Sequence, residues 1–385
     1  MPALECARQR VVGADVNVDI PVFEFADEPA VASALRRAAD RVIASKWFVL
    51  GNEVRAFEEE FAAYCDSSEC VGVANGTDAL ELSLRGIGIS RGDRVATVAN
   101  AGYYTSTALT AIGAEPVYID IDENSLTMSP VDLVRQIDAV RAVVVTHLFG
   151  RLAAIEDIVA LAGTRAVPVI EDCAQSHGAI RAGRRAGTFG VAGCFSFYPT
   201  KNLGALGDGG AIITSDPTLA TKLRSLRQYG WDRKYSVTLS GGRNSRLDEL
   251  QAAFLREKLP WLDIWNTRRR AIAVQYRDGL ADLPLAIPQW VDEEYVAHLF
   301  VVQVEKRDNF RSHLAVAGIG TDVHYPIPDY RQQTVVNRSG FAPLPATELA
   351  CRRVTTLPCF PGLKPEGVGR VITAVRQYYK RTSQH

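Results

Sequence analysis

The chain has 385 residues, 47% of them hydrophobic, and a formal net charge of −1. This length allows a large hydrophobic core and a smaller second one, while the near-neutral charge argues against nucleic-acid partners, which require a basic surface. The N-terminal residues lack the basic and then apolar layout of a secretion signal, and no apolar run is long enough to cross a bilayer. We therefore expect a cytoplasmic protein without a membrane partner, built as two domains or as one large domain with an appendage.

The cysteine content predicts reduced thiols rather than a disulfide framework. The number of cysteines, seven, is odd and no Cys-x-x-Cys pair occurs, so neither disulfides nor a zinc site is supported and no metal is expected. The cysteines are Cys6, Cys65, Cys70, Cys173, Cys194, Cys351 and Cys359.

Up to about residue 250, the chain alternates between helix-like and strand-like patterns. A helical pattern runs from about residue 28 to residue 65, with a turn at 46–51. The short apolar runs that predict strands lie at 71–74, 94–99, 116–119, 142–146, 166–170, 194–197 and 211–214. Helical patterns separate several of them, as at 79–86 and 155–162. This alternation indicates an α/β fold with a mostly parallel central sheet flanked by helices.

The pattern changes after about residue 250. A long helical stretch covers 247–276 with an interruption at Pro260, and one strong strand at 299–304 and a closing helix at 365–379 follow it. These elements are typical of a smaller α+β domain. We therefore predict, in chain order, an N-terminal extension (1–19), a large domain (20–260) and a small C-terminal domain (261–385).

Two predicted strands end in polar side chains, and ligands of open α/β sheets bind at strand ends. After one strand, Gly76 permits a tight turn and a helix begins near Thr77 or Asp78, where free N–H groups can bind an anion. An ordinary turn capped by Thr77 or Asp78 is the simpler interpretation of this segment alone. The other strand delivers Glu171 and Asp172, and a carboxylate there can hold a protonated ring nitrogen, coordinate a metal or act as a base. Capping of a helix by Asp172 explains that segment equally well.

Lys201 lies in an unusual setting, among the aromatic residues, glycines and small side chains of residues 195–210. A lysine in an apolar pocket loses solvation, so its pKa falls and its free amine can form a Schiff base. A solvent-facing loop is the alternative, but the glycine-rich tail favours a tight loop close to a ligand. Further along, in residues 241–250, Ser245 and Asp248 have the spacing of a capping box at a helix start.

Together these segments provide a phosphate cup, a carboxylate for a pyridine nitrogen and a lysine for an aldehyde, as pyridoxal 5′-phosphate (PLP) enzymes require. With these motifs, the sequence resembles the DegT/DnrJ/EryC1/StrS family of sugar aminotransferases, which have PLP fold type I. The resemblance extends from residue 47 to residue 358. The segments that carry it are Asn75-Gly-Thr-Asp-Ala-Leu80, His147-Leu-Phe-Gly150, Ile170-Glu-Asp-Cys-Ala-Gln-Ser-His177 and Ser196-Phe-Tyr-Pro-Thr-Lys-Asn-Leu203.

The resemblance implies roles for four residues around the cofactor ring. Lys201 would bind the aldehyde as a Schiff base, and Asp172 would bind the pyridine nitrogen. Gln175 would approach the ring hydroxyl, and Tyr103 would stack on the ring face. A plain core position is the alternative for Tyr103.

The cofactor phosphate would be held from two subunits. Gly76, Thr77 and Ser196 would bind it within the chain, while Asn244 would reach the phosphate of the neighbouring subunit. A local backbone contact at a strand end is the alternative role of Ser196. Because family members build each site from two chains, the resemblance implies a homodimer with shared active sites.

Finer motifs resemble the members that aminate C3 of dTDP-linked 3-keto-6-deoxyhexoses. Residues matching Tyr198, His324 and Tyr325 would bind the sugar in that group, although His324 beside Pro326 also fits an ordinary turn. Members that act at C4 more often carry Asn-Tyr-Arg where this chain has Asn244-Ser-Arg246. The segments that carry the C3 likeness are 101–107, 234–235, 244–252 and 323–328.

The implied reaction transfers the amino group of L-glutamate to a dTDP-keto sugar in two stages, with pyridoxamine 5′-phosphate as the amino carrier. Lys201 would move protons between the substrate carbon and the cofactor. Amination at C4 is one alternative. A PLP-dependent sugar dehydratase is another, although that branch of the family has a histidine at the position of Lys201. The remaining alternatives are a PLP-binding regulator without turnover and an unrelated nucleotide-binding α/β protein.

Overall fold

The structure, a computed structural model, describes residues 8–11, 14–26, 28–334 and 341–382. Much of the predicted N-terminal extension, including Cys6, lies outside the described residues. The α-helices of the described chain are α1 (Pro29–Ser45), α2 (Asn52–Tyr64), α3 (Gly76–Gly86), α4 (Tyr104–Ile112), α5 (Pro130–Leu133), α6 (Ile155–Gly163), α7 (Pro217–Leu226), α8 (Glu249–Lys258), α9 (Leu262–Leu280), α10 (Arg307–Val316), α11 (Pro345–Arg353) and α12 (Pro365–Thr382).

The strands include seven that form a central sheet and eight that form short two-stranded pairs in the described chain. They are β1 (Arg8–Val11), β2 (Ala14–Asn17), β3 (Glu69–Val73), β4 (Arg94–Val98), β5 (Glu115–Ile119), β6 (Ala142–Thr146), β7 (Val169–Asp172), β8 (Ile180–Arg181), β9 (Arg184–Arg185), β10 (Ala192–Ser196), β11 (Gly210–Thr214), β12 (Trp231–Arg233), β13 (Ser236–Val237), β14 (Phe300–Gln303) and β15 (Val354–Leu357).

The central sheet has the order β3-β11-β10-β7-β6-β4-β5. Only β11 runs antiparallel to its neighbours, so the predicted mostly parallel sheet is confirmed. All seven predicted strands are present, but the one expected at 166–170 begins later, at Val169. The delay has a local cause, because Ala166 has a left-handed φ of 51° and Pro168 has no N–H for a sheet hydrogen bond.

Helices cover both faces of this sheet. Alternate side chains of β6 point to opposite faces: Val144 packs with Leu80 of α3, whereas Val143 packs with Ile158 of α6. Phe57 of α2 extends the second face over the end of β10. Because every strand of this sheet except β11 runs in the same direction, their carboxyl ends lie along one edge, where polar side chains can gather.

The C-terminal part has its own apolar core. Tyr276 of α9, Phe300 of β14, Phe310 of α10 and Val375 of α12 are buried together in it. The predicted strand at 299–304 and closing helix are confirmed, and the helix break at Pro260 is a 3₁₀ turn between α8 and α9. A further strand, β15, was not predicted and pairs antiparallel with β14. Division into domains at residue 260 stays a prediction.

The described helices include none that is both long and apolar enough to cross a membrane. The six cysteines that the structure describes are buried and unpaired by disulfides. Burial raises the pKa of the Cys173 thiol well above its ordinary value, which keeps the thiol protonated at neutral pH.

Candidate functional site

A cavity of about 840 Å³ lies where the carboxyl ends of β3, β6, β7 and β10 meet the C-terminal part of the chain. It brings together most of the residues predicted from the sequence. Those that line it are Gly76, Thr77, Asp172, Gln175, Ser196, Tyr198, Lys201, His324 and Tyr325. Tyr103 and Asn244 do not line it.

The start of α3 forms an anion site on one side of the cavity. Asn75 caps the helix by accepting a hydrogen bond from the Asp78 N–H at 2.8 Å, so capping by Thr77 or Asp78 is wrong. The first N–H groups of a helix have no partner within it, and those of Gly76 and Thr77 stand at the cavity. A Cβ at Gly76 would lie 2.7 Å from Ser196 Cβ, so only glycine allows this close approach of α3 to β10.

The neighbouring acids of β7 have different roles because successive side chains of a strand point to opposite faces. Glu171 is fully buried and accepts hydrogen bonds from the N–H groups of Gly187, Phe189 and Gly190 at 2.7–2.8 Å. It also pairs with His147 Nε2 at 2.9 Å. Glu171 therefore holds the loop at 187–190 against the sheet.

Asp172 faces the cavity instead. Its Oδ1 accepts from the Ala174 N–H at 3.1 Å, and its Oδ2 lies 3.4 Å from Thr146 Oγ1. Burial raises the pKa of Asp172, while the Ala174 N–H and the positive charge of Lys201 lower it. The ionised carboxylate is thus stabilised first by the Ala174 N–H and then by the positive charge of Lys201. Asp172 does not cap a helix, because turns at residues 173–179 follow it and the next element is β8.

Lys201 lies on the loop that follows β10, with its N–H donating to the Tyr198 carbonyl at 2.8 Å. Burial lowers the pKa of Lys201 to about 8, and the negative charge of Asp172 raises it. At neutral pH this lysine loses its proton more easily than an exposed one. Lys258 of α8 donates to the Gly204 carbonyl at 2.7 Å and so fixes the loop from the side of the core.

The cavity wall includes a histidine, His298, that the sequence analysis did not single out. Asn202 donates to Asn266 Oδ1 and to the Val296 carbonyl at 2.7 and 3.1 Å, so its own Oδ1 accepts from His298 Nδ1 at 2.9 Å. Nε2 then carries no proton and makes no hydrogen bond to a described residue. Burial lowers the pKa of His298 well below its ordinary value, in agreement with a neutral ring. A single histidine before an apolar strand has no sequence pattern that would mark it.

His324 and Tyr325, which were predicted to bind the sugar, also line the cavity from the C-terminal part of the chain. His324 Nδ1 lies 2.8 Å from Thr356 Oγ1, and burial lowers the pKa of His324. Gln175 Oε1 accepts from the Phe149 N–H at 2.6 Å, so its Nε2 donates to the Tyr325 hydroxyl at 3.1 Å. These bonds fix the orientation of both side chains at the cavity.

Two predicted residues lie elsewhere. Tyr103 has a left-handed φ of 70° just before α4, and the next side chain, Tyr104, lines the cavity in its place. The ring of Tyr104 is 6.1 Å from that of Tyr325. Asn244 is exposed and its backbone bridges to Gln228, outside the cavity.

The predicted capping box before α8 is wrong. Asp248 occupies the cap position but makes no side-chain capping bond. Ser245 is buried, and its hydroxyl accepts from the Ala74 N–H at 3.1 Å, which ties this segment to the end of β3. Tertiary contact therefore replaces the local bond that the spacing suggested.

Comparison with known proteins agrees with this geometry. The model of the DegT/DnrJ/EryC1/StrS aminotransferase family matches residues 29–376. The chain is 43% identical over 379 residues to the dTDP-3-amino-3,4,6-trideoxy-alpha-D-glucose transaminase of Streptomyces venezuelae, covering 96% of this chain and 99% of the relative. It is 44% identical over 346 residues to the dTDP-3-amino-3,6-dideoxy-alpha-D-galactopyranose transaminase of Aneurinibacillus thermoaerophilus. This alignment covers 89% of this chain and 95% of the relative. The crystal structure of S. venezuelae DesV in complex with a ketimine intermediate aligns with a TM-score of 0.90 and 41% identity, over 94% of this chain and 98% of that chain.

Proposed function

The chain belongs to the DegT/DnrJ/EryC1/StrS aminotransferase family, and from this premise we propose that it uses PLP to transfer the amino group of L-glutamate to C3 of a dTDP-linked 3-keto-6-deoxyhexose. The observation that carries the proposal is the meeting of Lys201, Asp172 and the start of α3 in one cavity. Both relatives named above have "3-amino" in their names but different sugars. Because this chain is about equally identical to both relatives, the comparison favours C3 amination but does not distinguish between their two sugars.

The residues of the cavity fit PLP. The N–H groups at Gly76 and Thr77 and the Ser196 hydroxyl would hold its phosphate, and Asp172 is a buried carboxylate with no arginine beside it among the described residues that line the cavity. When bound, the cofactor withdraws electrons from the substrate carbon. We propose that residues 20–260 hold the cofactor and that residues 261–385 supply the side of the cavity that contains His324 and Tyr325.

Asp172 and Lys201 divide the proton chemistry between them. Since burial raises the pKa of Asp172, its ionised form needs a neighbouring cation, and the protonated ring nitrogen would supply that charge. Lys201, whose pKa is about 8, can both take and return a proton at neutral pH. Gln175 would donate to the ring hydroxyl, and Tyr104 rather than Tyr103 is the aromatic side chain in a position to cover the ring.

A second copy of the chain completes this site in our proposal. Among the described residues that line the cavity, Lys201 is the one lysine and arginine is absent, although a diphosphate and a dicarboxylate both need positive partners. Exposed apolar side chains surround the start of α8, where Val49 bridges to Asp248 and Leu206 bonds to Gln251. They are Trp47, Phe48, Val49, Leu206 and Tyr229. A patch of this kind is typical of an interface, and a homodimer would bring Asn244 to the neighbouring cavity.

The test uses the purified protein loaded with PLP. L-glutamate should convert the visible spectrum to that of pyridoxamine phosphate, and a panel of dTDP-keto sugars should then restore it. NMR of the product identifies the aminated carbon: C3 supports the proposal, and C4 contradicts its regiochemistry. Bound PLP without conversion by L-glutamate would favour the non-catalytic regulator. Light scattering tests the homodimer, and fractionation of the source cells tests the cytoplasmic location.

A further inference from the structure

One wall of the cavity is a segment that crosses from the C-terminal core to the large sheet. We call residues 322–331 the strap. At its first end, Asp322 and Thr356 exchange backbone hydrogen bonds of 2.8 and 3.3 Å, which join the strap to β15. The strap then presents His324 and Tyr325 to the cavity and ends in a short 3₁₀ helix, Asp329–Arg331.

Asp329 joins the second end of the strap to α4. Its side chain, 1% exposed, accepts hydrogen bonds from the Tyr103 N–H at 3.0 Å and from the Ser106 hydroxyl at 2.6 Å. Its own N–H donates to the Ala99 carbonyl at 2.8 Å. Tyr103, the residue before α4, makes no side-chain capping bond. Asp329, 226 residues further along the chain, therefore takes over this function by accepting from the Tyr103 N–H and the Ser106 hydroxyl.

Between these ends, the strap packs on the same turn that Asp329 holds. A Cβ at Gly102 would lie 2.9 Å from the Tyr325 ring, so this ring rests directly on the backbone before α4. Tyr104 lies beside it, with ring centroids 6.1 Å apart. Any displacement of Asp329 would therefore move Tyr325 relative to Tyr104 and the cavity.

We propose that Asp329 is a positioning residue for binding of the nucleotide-linked sugar, an inference that rests on the proposed function. It does not line the cavity. It holds the strap against α4, so that His324 and Tyr325 stand in the cavity before the sugar arrives. Binding then does not have to order the strap, which improves affinity for the sugar. The phosphate site and Lys201 lie on α3, β10 and the loop after β10, and no hydrogen bond between described residues joins them to the strap. On the cofactor side the strap contacts Gln175 and Tyr104 through Tyr325.

The test compares Asp329→Ala with Asp329→Asn. Alanine removes both bonds, whereas asparagine keeps an acceptor for the Tyr103 N–H and can donate to Ser106 Oγ. Asp329→Ala should raise KM for the keto sugar about tenfold or more, the effect of losing a buried hydrogen-bonded group. The rate of cofactor conversion by L-glutamate should fall by a clearly smaller factor, because the strap reaches the cofactor side only through the contacts of Tyr325 and of the α4 start with Gln175 and Tyr104. Asp329→Asn should restore most of the sugar affinity, and Asp308→Ala, at an exposed position of α10, is the control.

Hydrogen exchange provides a readout that does not depend on turnover. Peptides that cover the strap should exchange faster in Asp329→Ala than in Asp329→Asn or in the original protein. If Asp329→Ala fails to fold, Ser106→Ala removes one of the two bonds and should raise the sugar KM by a smaller factor.

Two results would overturn the role of Asp329: an unchanged sugar KM in Asp329→Ala, or an equal loss in the L-glutamate stage. An original protein that aminates no dTDP-keto sugar would instead contradict the proposed function. The two failures are therefore distinguishable.

Discussion

The two walls of the cavity are built in different ways. The wall with Lys201 and Asp172 consists of strand ends and the turns that follow them, so each residue is placed by the strand before it. The wall with His324 and Tyr325 is the strap, which is placed by hydrogen bonds to distant elements such as β15 and α4.

This difference suggests a division of labour. The strand-end wall has the groups that a cofactor needs, and its geometry is fixed by a sheet buried on both faces. The strap wall has few backbone bonds of its own and depends on a few contacts at its ends. We therefore expect changes in the first wall to affect both stages of transfer, and changes in the second to affect mainly the stage that uses the sugar.

The largest effect should come from Lys201→Ala. Removal of the group that moves protons at the substrate carbon should lower turnover by about a thousandfold or more, since general acid–base catalysis contributes roughly 10²–10⁴. Single-turnover rates with L-glutamate and with the keto sugar should both fall. Lys306→Ala, on the surface, is the matched control. Full activity in Lys201→Ala would contradict the catalytic role assigned to Lys201.

Asp172→Asn should lower the rates of both stages by roughly a hundredfold, because a buried charge beside the ring nitrogen is lost. The same change should lower the pKa of Lys201 below about 8 in the cofactor-free protein, since the charge of Asp172 raises it. The pH dependence of amine labelling at Lys201, followed by mass spectrometry, measures this shift. An unchanged or higher midpoint would show that the two groups do not interact.

His324→Ala should raise KM for the keto sugar about tenfold, the effect of one lost hydrogen bond in a buried site. The rate with L-glutamate should change little, because the strap carries no cofactor-binding group in our proposal. Steady-state kinetics of the two stages check this. An equal loss of catalytic efficiency in both stages would show that the two walls do not serve different stages.

The smallest effect concerns the neighbouring tyrosines. Tyr104→Ala should weaken cofactor retention several-fold, because this ring stands at the cavity, whereas Tyr103→Ala should retain it nearly as well as the original protein. Dialysis followed by fluorescence of the released PLP measures retention. The reverse order would support the stacking role that the sequence motif implied for Tyr103.

Short apolar runs were sufficient for the elements that carry the first wall. These runs, separated by helical patterns, predicted all seven central strands. The ends of two strands pointed to Gly76 and Asp172, the glycine-rich loop pointed to Lys201, and the family resemblance added Ser196. Local patterns failed where a distant group competes for the same atoms. Ser245 bonds to Ala74, 171 residues away, rather than capping α8. The wrong cap of α3 has a local cause instead, because the helix begins earlier than expected, at Gly76, and Asn75 caps it.

The sequence by itself determined the fold class, the family and the lysine–carboxylate–phosphate set, because these depend on short-range order along strands and turns. Only the tertiary structure decided that Tyr104 rather than Tyr103 lines the cavity, and that His298 and Asp329 belong to the site or support it. The reason is physical: these placements depend on side-chain direction and on hydrogen bonds between segments far apart in the chain. For Lys201, the sequence showed an unusual setting, and the structure supplied the burial and the facing carboxylate that adjust its pKa.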